Sequence, residues 1–178
     1  ALVPIFLSIS PPLPIIIPAY FSKYDIVRDD YRAVMASCAL PGFCRPVKVG
    51  DRYYYDGGVA DSIPLHHAIE QGCTKMVVIL SNPRNFVKKP EAHRPLYKHM
   101  LHKYPKTIQS IDNRHINYQA SIDLASRLEK EGYVFIFAPS RHMPLSTFSK
   151  DAALEQDLYD LGVADYEARA EELKHFLN

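Results

Sequence analysis

The residues with the clearest capacity for chemistry are Asp56-Gly57-Gly58, which follow the β-rich run Tyr53-Tyr54-Tyr55 and lead into Val59-Ala60-Asp61-Ser62-Ile63-Pro64. A carboxylate at the end of a strand is held by rigid backbone yet faces the sheet edge, where open α/β folds put their sites. Gly57 and Gly58 are expected to let the chain turn at positive φ with no side chain in the way. Asp and Gly are also ordinary turn residues. That plainer role is weakened by Gly50-Asp51, which already supplies the turn of a hairpin predicted over Pro46 to Tyr55.

Other kinds of chemistry find less support. A nucleophilic hydrolase of layered α/β type carries Gly-x-Ser-x-Gly, the strained elbow that lifts a serine above the sheet. The seven glycines stand at 42, 50, 57, 58, 72, 132 and 162, and no two of them bracket a serine at that spacing. They also form no glycine-rich loop for an oxyanion or a phosphate. His99-x-x-His102 places two imidazoles on one helix face, but no acidic or cysteine ligand follows at zinc-site spacing. A metal-dependent hydrolase built on His99 and His102 is therefore the weakest reading. Cys38 is expected to be a buried, inert thiol on a helix face.

The elements that would position Asp56 follow from periodicity. Tyr31, Val34, Met35, Cys38 and Ala39 fall at the spacing of one helix face, which Pro41-Gly42 ends. Ser62 and Pro64 mark the start of a helix over about Leu65 to Gln71, stopped by Gly72. Met76 to Leu80 reads as a strand covered on both faces. With the preceding strand and helix it is expected to form a right-handed crossover. Tyr97 to Tyr104 and Ile108 to Glu131 are predicted helices, the second with Ile111, His115, Tyr118, Ile122, Ala125 and Leu128 along one face. Tyr133 to Phe137 is a strand. Ser149 is the predicted cap of a helix near Lys150 that Gly162 breaks, and Tyr166, Ala170, Leu173 and Leu177 line a last helix. Before Pro14 nothing is assigned, and Pro14 to Tyr20 is expected to be extended around Ile15-Ile16-Ile17.

At 178 residues and 47% hydrophobic, the chain suffices for one domain with a substantial core. A net charge of +1 argues against nucleic acid as partner, since phosphate binding needs a basic excess. The charge is uneven: Lys88, Lys89, Arg94, Lys98, Lys103 and Lys106 face only Glu91 within their stretch. Each Lys or Arg near an anionic lipid surface contributes about 1 kcal/mol, which makes this stretch a candidate for peripheral membrane contact. Three cysteines without metal spacing fit a reducing, cytoplasmic setting. Residues 1–18 are almost wholly apolar, but Pro4, Pro11, Pro12, Pro14 and Pro18 forbid a membrane helix. No basic segment or cleavage pattern marks a signal peptide. The chain opens on Ala1 rather than Met, which fits a processed chain or a fragment.

Taken together, Ala36-Ser37-Cys38-Ala39-Leu40-Pro41-Gly42, Pro46-Val47, Tyr55-Asp56-Gly57-Gly58-Val59, Ile63-Pro64, Ala68, Gly72 and Val77-Val78-Ile79 resemble the second half of a patatin-like phospholipase domain. The resemblance runs over about residues 20–82. Leu158 to Gly162 with Asp165 also resembles the C-terminal region of bacterial members. It implies that residues 1–178 are the C-terminal portion of one such domain, with 1–18 atypical and 150–178 a helical end. The implied fold is a three-layer α/β/α arrangement around a mainly parallel sheet, here as a partial domain. The implied activity is hydrolysis of lipid acyl esters by a serine–aspartate dyad, with no metal or other cofactor. Asp56 falls on the motif aspartate, as catalytic base, and Gly57 and Gly58 would keep it approachable. Ser62 stands where many members have Asn, a departure expected to affect the helix start more than catalysis. The family's serine elbow and oxyanion loop lie upstream of the matching region, so the chain alone is expected to be inactive. A non-catalytic binding or scaffolding protein derived from the same fold is the alternative.

Overall fold

The computed structural model describes residues 5–9, 17–22, 24–26, 28–144 and 150–178. In chain order the elements are β1 (Ile5–Ile9), β2 (Ile17–Tyr20), α1 (Arg32–Ser37), β3 (Val47–Val49), β4 (Arg52–Asp56), α2 (Leu65–Glu70), β5 (Met76–Ile79), α3 (Arg94–Met100), α4 (Pro105–Lys130), β6 (Val134–Phe137) and α5 (Ala152–Leu177). They fall into two compact units, one of Ala1–Ala68 with Lys88–Ile122 and one of Ile69–Val87 with Asp123–Asn178. The described residues thus form a mixed α and β structure with two small sheets.

The first unit holds a four-stranded sheet in the order β2-β1-β4-β3, with every neighbouring pair antiparallel. The expected mainly parallel sheet is therefore not what its strands form. Two facts account for this. The β3–β4 hairpin turns at Gly50, whose φ of +59° suits a residue without Cβ. Strand β1, to which no structure was assigned from sequence, then runs antiparallel to β4 with Phe6 opposite Asp56. Because side chains alternate across a strand, Tyr54 and Tyr55 point to opposite faces of β4, and both are buried. Tyr54 packs with Ala33 and Ala36, whereas Tyr55 packs with Ala39.

Helix α1 buries a different face from the one predicted. Ala33 and Ala36 face the core, while Tyr31 and Met35 are each 60% exposed and Cys38 is exposed. Ala33 and Ala36 pack with Tyr54 in one buried cluster, and the larger apolar residues Tyr31, Val34 and Met35 turn outward. Cys38 ends the helix and is not the buried thiol expected.

The second unit pairs β5 and β6 in parallel, with Val78 opposite Ile136. Parallel neighbours need a long connection, and α3 and α4 lie between them in the chain. Strand β5 thus pairs with β6, whereas β4 belongs to the other sheet, so the crossover expected from β4 through α2 to β5 does not join strands of one sheet. Nor is β5 covered on both faces: Val78 is buried, but Ile79 is 80% exposed. Strand β6 carries the core instead, with Val134 and Ile136 both at 2% exposure. Arg84 makes two hydrogen bonds to Glu129 and a third to the Ile136 carbonyl at 2.9 Å. Arg169 donates to the same carbonyl at 2.7 Å and lies 4.3 Å from the centre of the Phe135 ring. The Ile136 N–H donates to Glu129 at 3.1 Å. The Arg84 bond first, with help from the Ile136 N–H, holds the Glu129 carboxyl below the usual range.

Helix α4 buries Ile111, Ile122 and Ala125 on the predicted face, and Gly132 follows it at φ +82°. Helix α5 departs from expectation. Residues 145–149, and with them the predicted cap Ser149, lie outside the described residues. Asp151 caps the helix, accepting from the N–H groups of Ala153 and Leu154 at 3.1 Å each. The helix then runs unbroken through Gly162, because one glycine costs only about 1 kcal/mol against alanine in a helix interior. Gly162 there borders a cavity of about 290 Å³ lined by Val77, Leu80, Phe137, Leu158 and Leu173.

Candidate active site

The carboxylate at the end of β4 is placed by three local features. Tyr54 and Tyr55 anchor the strand in the core, so its last residue cannot slide. The Asp56 N–H donates to the Ala39 carbonyl at 2.9 Å, tying the strand end to the segment after α1. Gly57–Val59 then form one turn of 3-10 helix, for which Asp56 is the N-cap: the Gly58 N–H donates to its Oδ1 at 2.8 Å. The glycines serve here in a way the sequence did not suggest. The glycines at positive φ are Gly42, Gly50, Gly72 and Gly132, and neither Gly57 nor Gly58 is among them. Space is the requirement at Gly58, since a Cβ there would stand 3.2 Å from Asp56 Oδ1 and 3.8 Å from Arg114 Nη2.

The Gly58 carbonyl is held from two sides. Ser62 Oγ donates to it at 2.7 Å, and Arg114 Nε at 3.0 Å. Ser62 therefore braces the motif turn itself, through a hydroxyl that the sequence suggested would act at the start of α2. Arg114 also donates through Nη1 to Glu91 Oε1 at 3.0 Å, and Lys88 Nζ lies 3.3 Å from the same oxygen. Beyond the turn, the Tyr20 hydroxyl donates to Asp61 Oδ2 at 3.0 Å, and the Tyr20 ring stacks on His67 at 3.6 Å. Burial pushes the Asp56 carboxyl above its ordinary range, while the Gly58 N–H and then the Arg114 charge oppose that rise. A carboxylate so placed is a partly desolvated base with one oxygen fixed by backbone.

Asp56, Gly57 and Gly58 thus come together in one turn, and Arg114, Glu91 and Ser62 join them. Arg114 and Glu91 were not anticipated as site residues. A signal for Arg114 was present: it lies three residues after the buried Ile111 and four before Tyr118, on the inward side of α4, where an ionisable group needs a partner. His99 and His102 stand apart from this constellation in the chain. Their ring centres are 6.4 Å apart, and His102 Nδ1 lies 2.9 Å from the His99 carbonyl oxygen. Among the described residues no group of three or more His, Cys, Asp or Glu side chains is arranged to hold a metal ion.

Comparison with known proteins places this site in a family context. Residues 22–69, which carry α1, the β3–β4 hairpin, the Asp56 turn and most of α2, match the family model of patatin-like phospholipases. The match relates that part of the chain to a family of hydrolases. Residues 104–178 match a different model, a domain of unknown function (DUF6363). Leu158 to Asp165 lies in this second match, and Val77 to Ile79 lies in neither. The chain is also 30% identical over 135 residues to the uncharacterized protein YjjU of Escherichia coli (strain K12), covering 72% of this chain. It spans 37% of the length of that relative.

Proposed function

We propose that this chain is the C-terminal portion of a lipid acyl hydrolase in which Asp56 is the base of a serine–aspartate dyad. The observation that carries the proposal is the Asp56 carboxylate itself: partly buried, fixed through Oδ1, and situated within the segment that matches the patatin-like phospholipases. With Oδ1 held by Gly58, Oδ2 accepts the proton of a serine hydroxyl as Oγ attacks an ester carbonyl. The proton passes to the departing alcohol and leaves an acyl-enzyme. Water then attacks the acyl carbon, Asp56 takes its proton, and that proton returns to serine as the acid is released. The 178 residues hold no Gly-x-Ser-x-Gly, so in this reading the serine and the oxyanion donors come from another part of a longer protein.

A p-nitrophenyl ester assay tests the division of labour. A longer protein that includes an upstream Gly-x-Ser-x-Gly is expected to hydrolyse the ester, and the 178-residue chain is not. Turnover by the short chain that disappears in its Asp56→Asn variant would place the nucleophile within it and overturn the proposal. The missing serine elbow also supports a second reading, a binding or scaffolding protein of the same descent. A coding frame with no such elbow upstream of Ala1 would favour it.

The proposed substrates are acyl esters of lipids, met at a membrane surface in a cytoplasmic setting. Helix α3 exposes Leu96 and Met100 one turn apart on one face, and Lys98 is exposed on another side of the helix. Lys103 is exposed just beyond it. No helix among the described residues is long and apolar enough to cross a membrane. Reversing the charge of Lys98 and Lys103 in the full-length protein is expected to weaken binding to phosphatidylserine vesicles by roughly tenfold or more. Unchanged vesicle sedimentation would remove α3 from consideration.

A further inference from the structure

We propose that Arg114 is a positioning residue for Asp56, gripping the Asp56–Gly58 turn and setting a fixed positive charge behind its carboxylate, so that the 104–178 region supplies part of the hydrolase site. The role in hydrolysis rests on the reading of Asp56 as a base; the coupling of Arg114 to Asp56 does not.

The grip is a continuous chain of contacts. Lys88 and Arg114 both engage Glu91, which fixes one end of the guanidinium at 3.0 Å. Its Nε holds the Gly58 carbonyl at 3.0 Å, and the N–H of that same glycine orients Asp56 Oδ1 at 2.8 Å. A shift of Arg114 therefore moves the residue that aims the carboxylate. Ser62 alone would retain the Gly58 carbonyl if Arg114 were lost. The guanidinium offers its donors in a rigid fork, which a flexible ammonium does not reproduce.

The electrostatic side follows from the same geometry. Burial favours the neutral acid at Asp56, and the Arg114 charge works against it. Nearby, Glu91 is engaged by Arg114 and Lys88, and Asp61 accepts from the Tyr20 hydroxyl. Arg114 is the cation that opposes the desolvation of Asp56. A general base must be ionised to accept a proton, so this charge extends its use toward lower pH. The consequence reaches beyond one residue. Arg114 belongs to α4, inside the segment that matches a domain of unknown function, whereas Asp56 lies in the patatin-like segment. The first turns of that segment would then complete the site of the preceding one.

The experiment uses the full-length protein with 13C-labelled aspartate, following the Asp56 carboxyl by NMR through pH, beside ester hydrolysis over the same range. Arg114→Gln is expected to move the Asp56 titration upward, shift the acidic limb of kcat/KM upward with it, and lower kcat at neutral pH roughly ten- to a hundredfold through misplacement. Arg114→Lys is expected to restore the titration but only part of kcat. If Arg114→Gln does not fold, Arg114→Met, which keeps the apolar stem and drops the charge, is read in its place, and the same upward movement of the Asp56 titration is expected. An Asp56 titration that stays in place in the folded variant overturns the proposal, whatever the activity. A titration that moves in a protein that cleaves no ester supports the coupling and overturns the hydrolase reading.

Discussion

Asp56→Asn in the full-length protein is expected to lower kcat by about 10²- to 10⁴-fold, the usual contribution of general-base help, while making the fold more stable at neutral pH. The two effects have one origin. Burial raises the Asp56 carboxyl above its ordinary range and outweighs the Gly58 N–H and the Arg114 charge. For a group with a raised folded pKa, the associated stability is fully present below the unfolded value near 3.8 and is lost as pH rises through the folded value. Above that window the native carboxylate is ionised at a cost that a neutral amide avoids. The Asn oxygen can still accept from the Gly58 N–H, so the turn persists. Thermal unfolding at pH 7 to 8 measured beside kcat checks both halves. Full activity in the variant would remove Asp56 from the mechanism, and a lower melting temperature would mean that the Arg114 charge dominates the environment.

Ile136→Ala is expected to destabilise the second unit by about 2–5 kcal/mol, the range for removing a buried branched side chain and leaving a cavity. Ile136 is 2% exposed in the middle of β6. Its polar contacts with Glu129, Arg84 and Arg169 are made through its backbone and survive the change, so the loss isolates packing. Ile79→Ala on the neighbouring strand is the control: at 80% exposure it should shift stability by no more than about 0.5 kcal/mol. Urea unfolding followed by circular dichroism, with hydrogen exchange to locate the effect, distinguishes the two. Equal losses at both positions would show that the exposed face of β5 is covered in solution.

Legibility in the sequence followed the range of the forces involved. The β3–β4 hairpin, α2, α4 and β6 were readable because their signals are local: Gly50-Asp51 at a turn, Pro64 before a helix, Gly132 after one, and a face repeating through Ile111, Ile122 and Ala125. The motif Asp56-Gly57-Gly58 was readable for the same reason. What failed depended on partners distant in sequence. Nothing local in Ile5–Ile9 says that it pairs with β4. The buried face of α1 is the one that packs with Tyr54, and it holds Ala33 and Ala36 rather than larger neighbours with an equally helical period. The inward position of Arg114 on α4 signalled that it needs a partner, but not which one, because the Gly58 carbonyl lies 56 positions away. Gly162 misled for a different reason, since the breaking tendency of one glycine is small beside a long, well-capped helix.

Strand β6 has two edges, and they differ in what they offer. One is occupied by β5, while at the other the Ile136 N–H and carbonyl are already engaged by Glu129, Arg84 and Arg169. Backbone groups satisfied by charged side chains are no template for another strand. Among the described residues, no strand pairs with the far side of β5. Among the described residues this small parallel sheet is therefore asymmetric: at Ile136 the outer edge of β6 has its backbone groups taken by Glu129, Arg84 and Arg169, whereas the outer edge of β5 pairs with no strand.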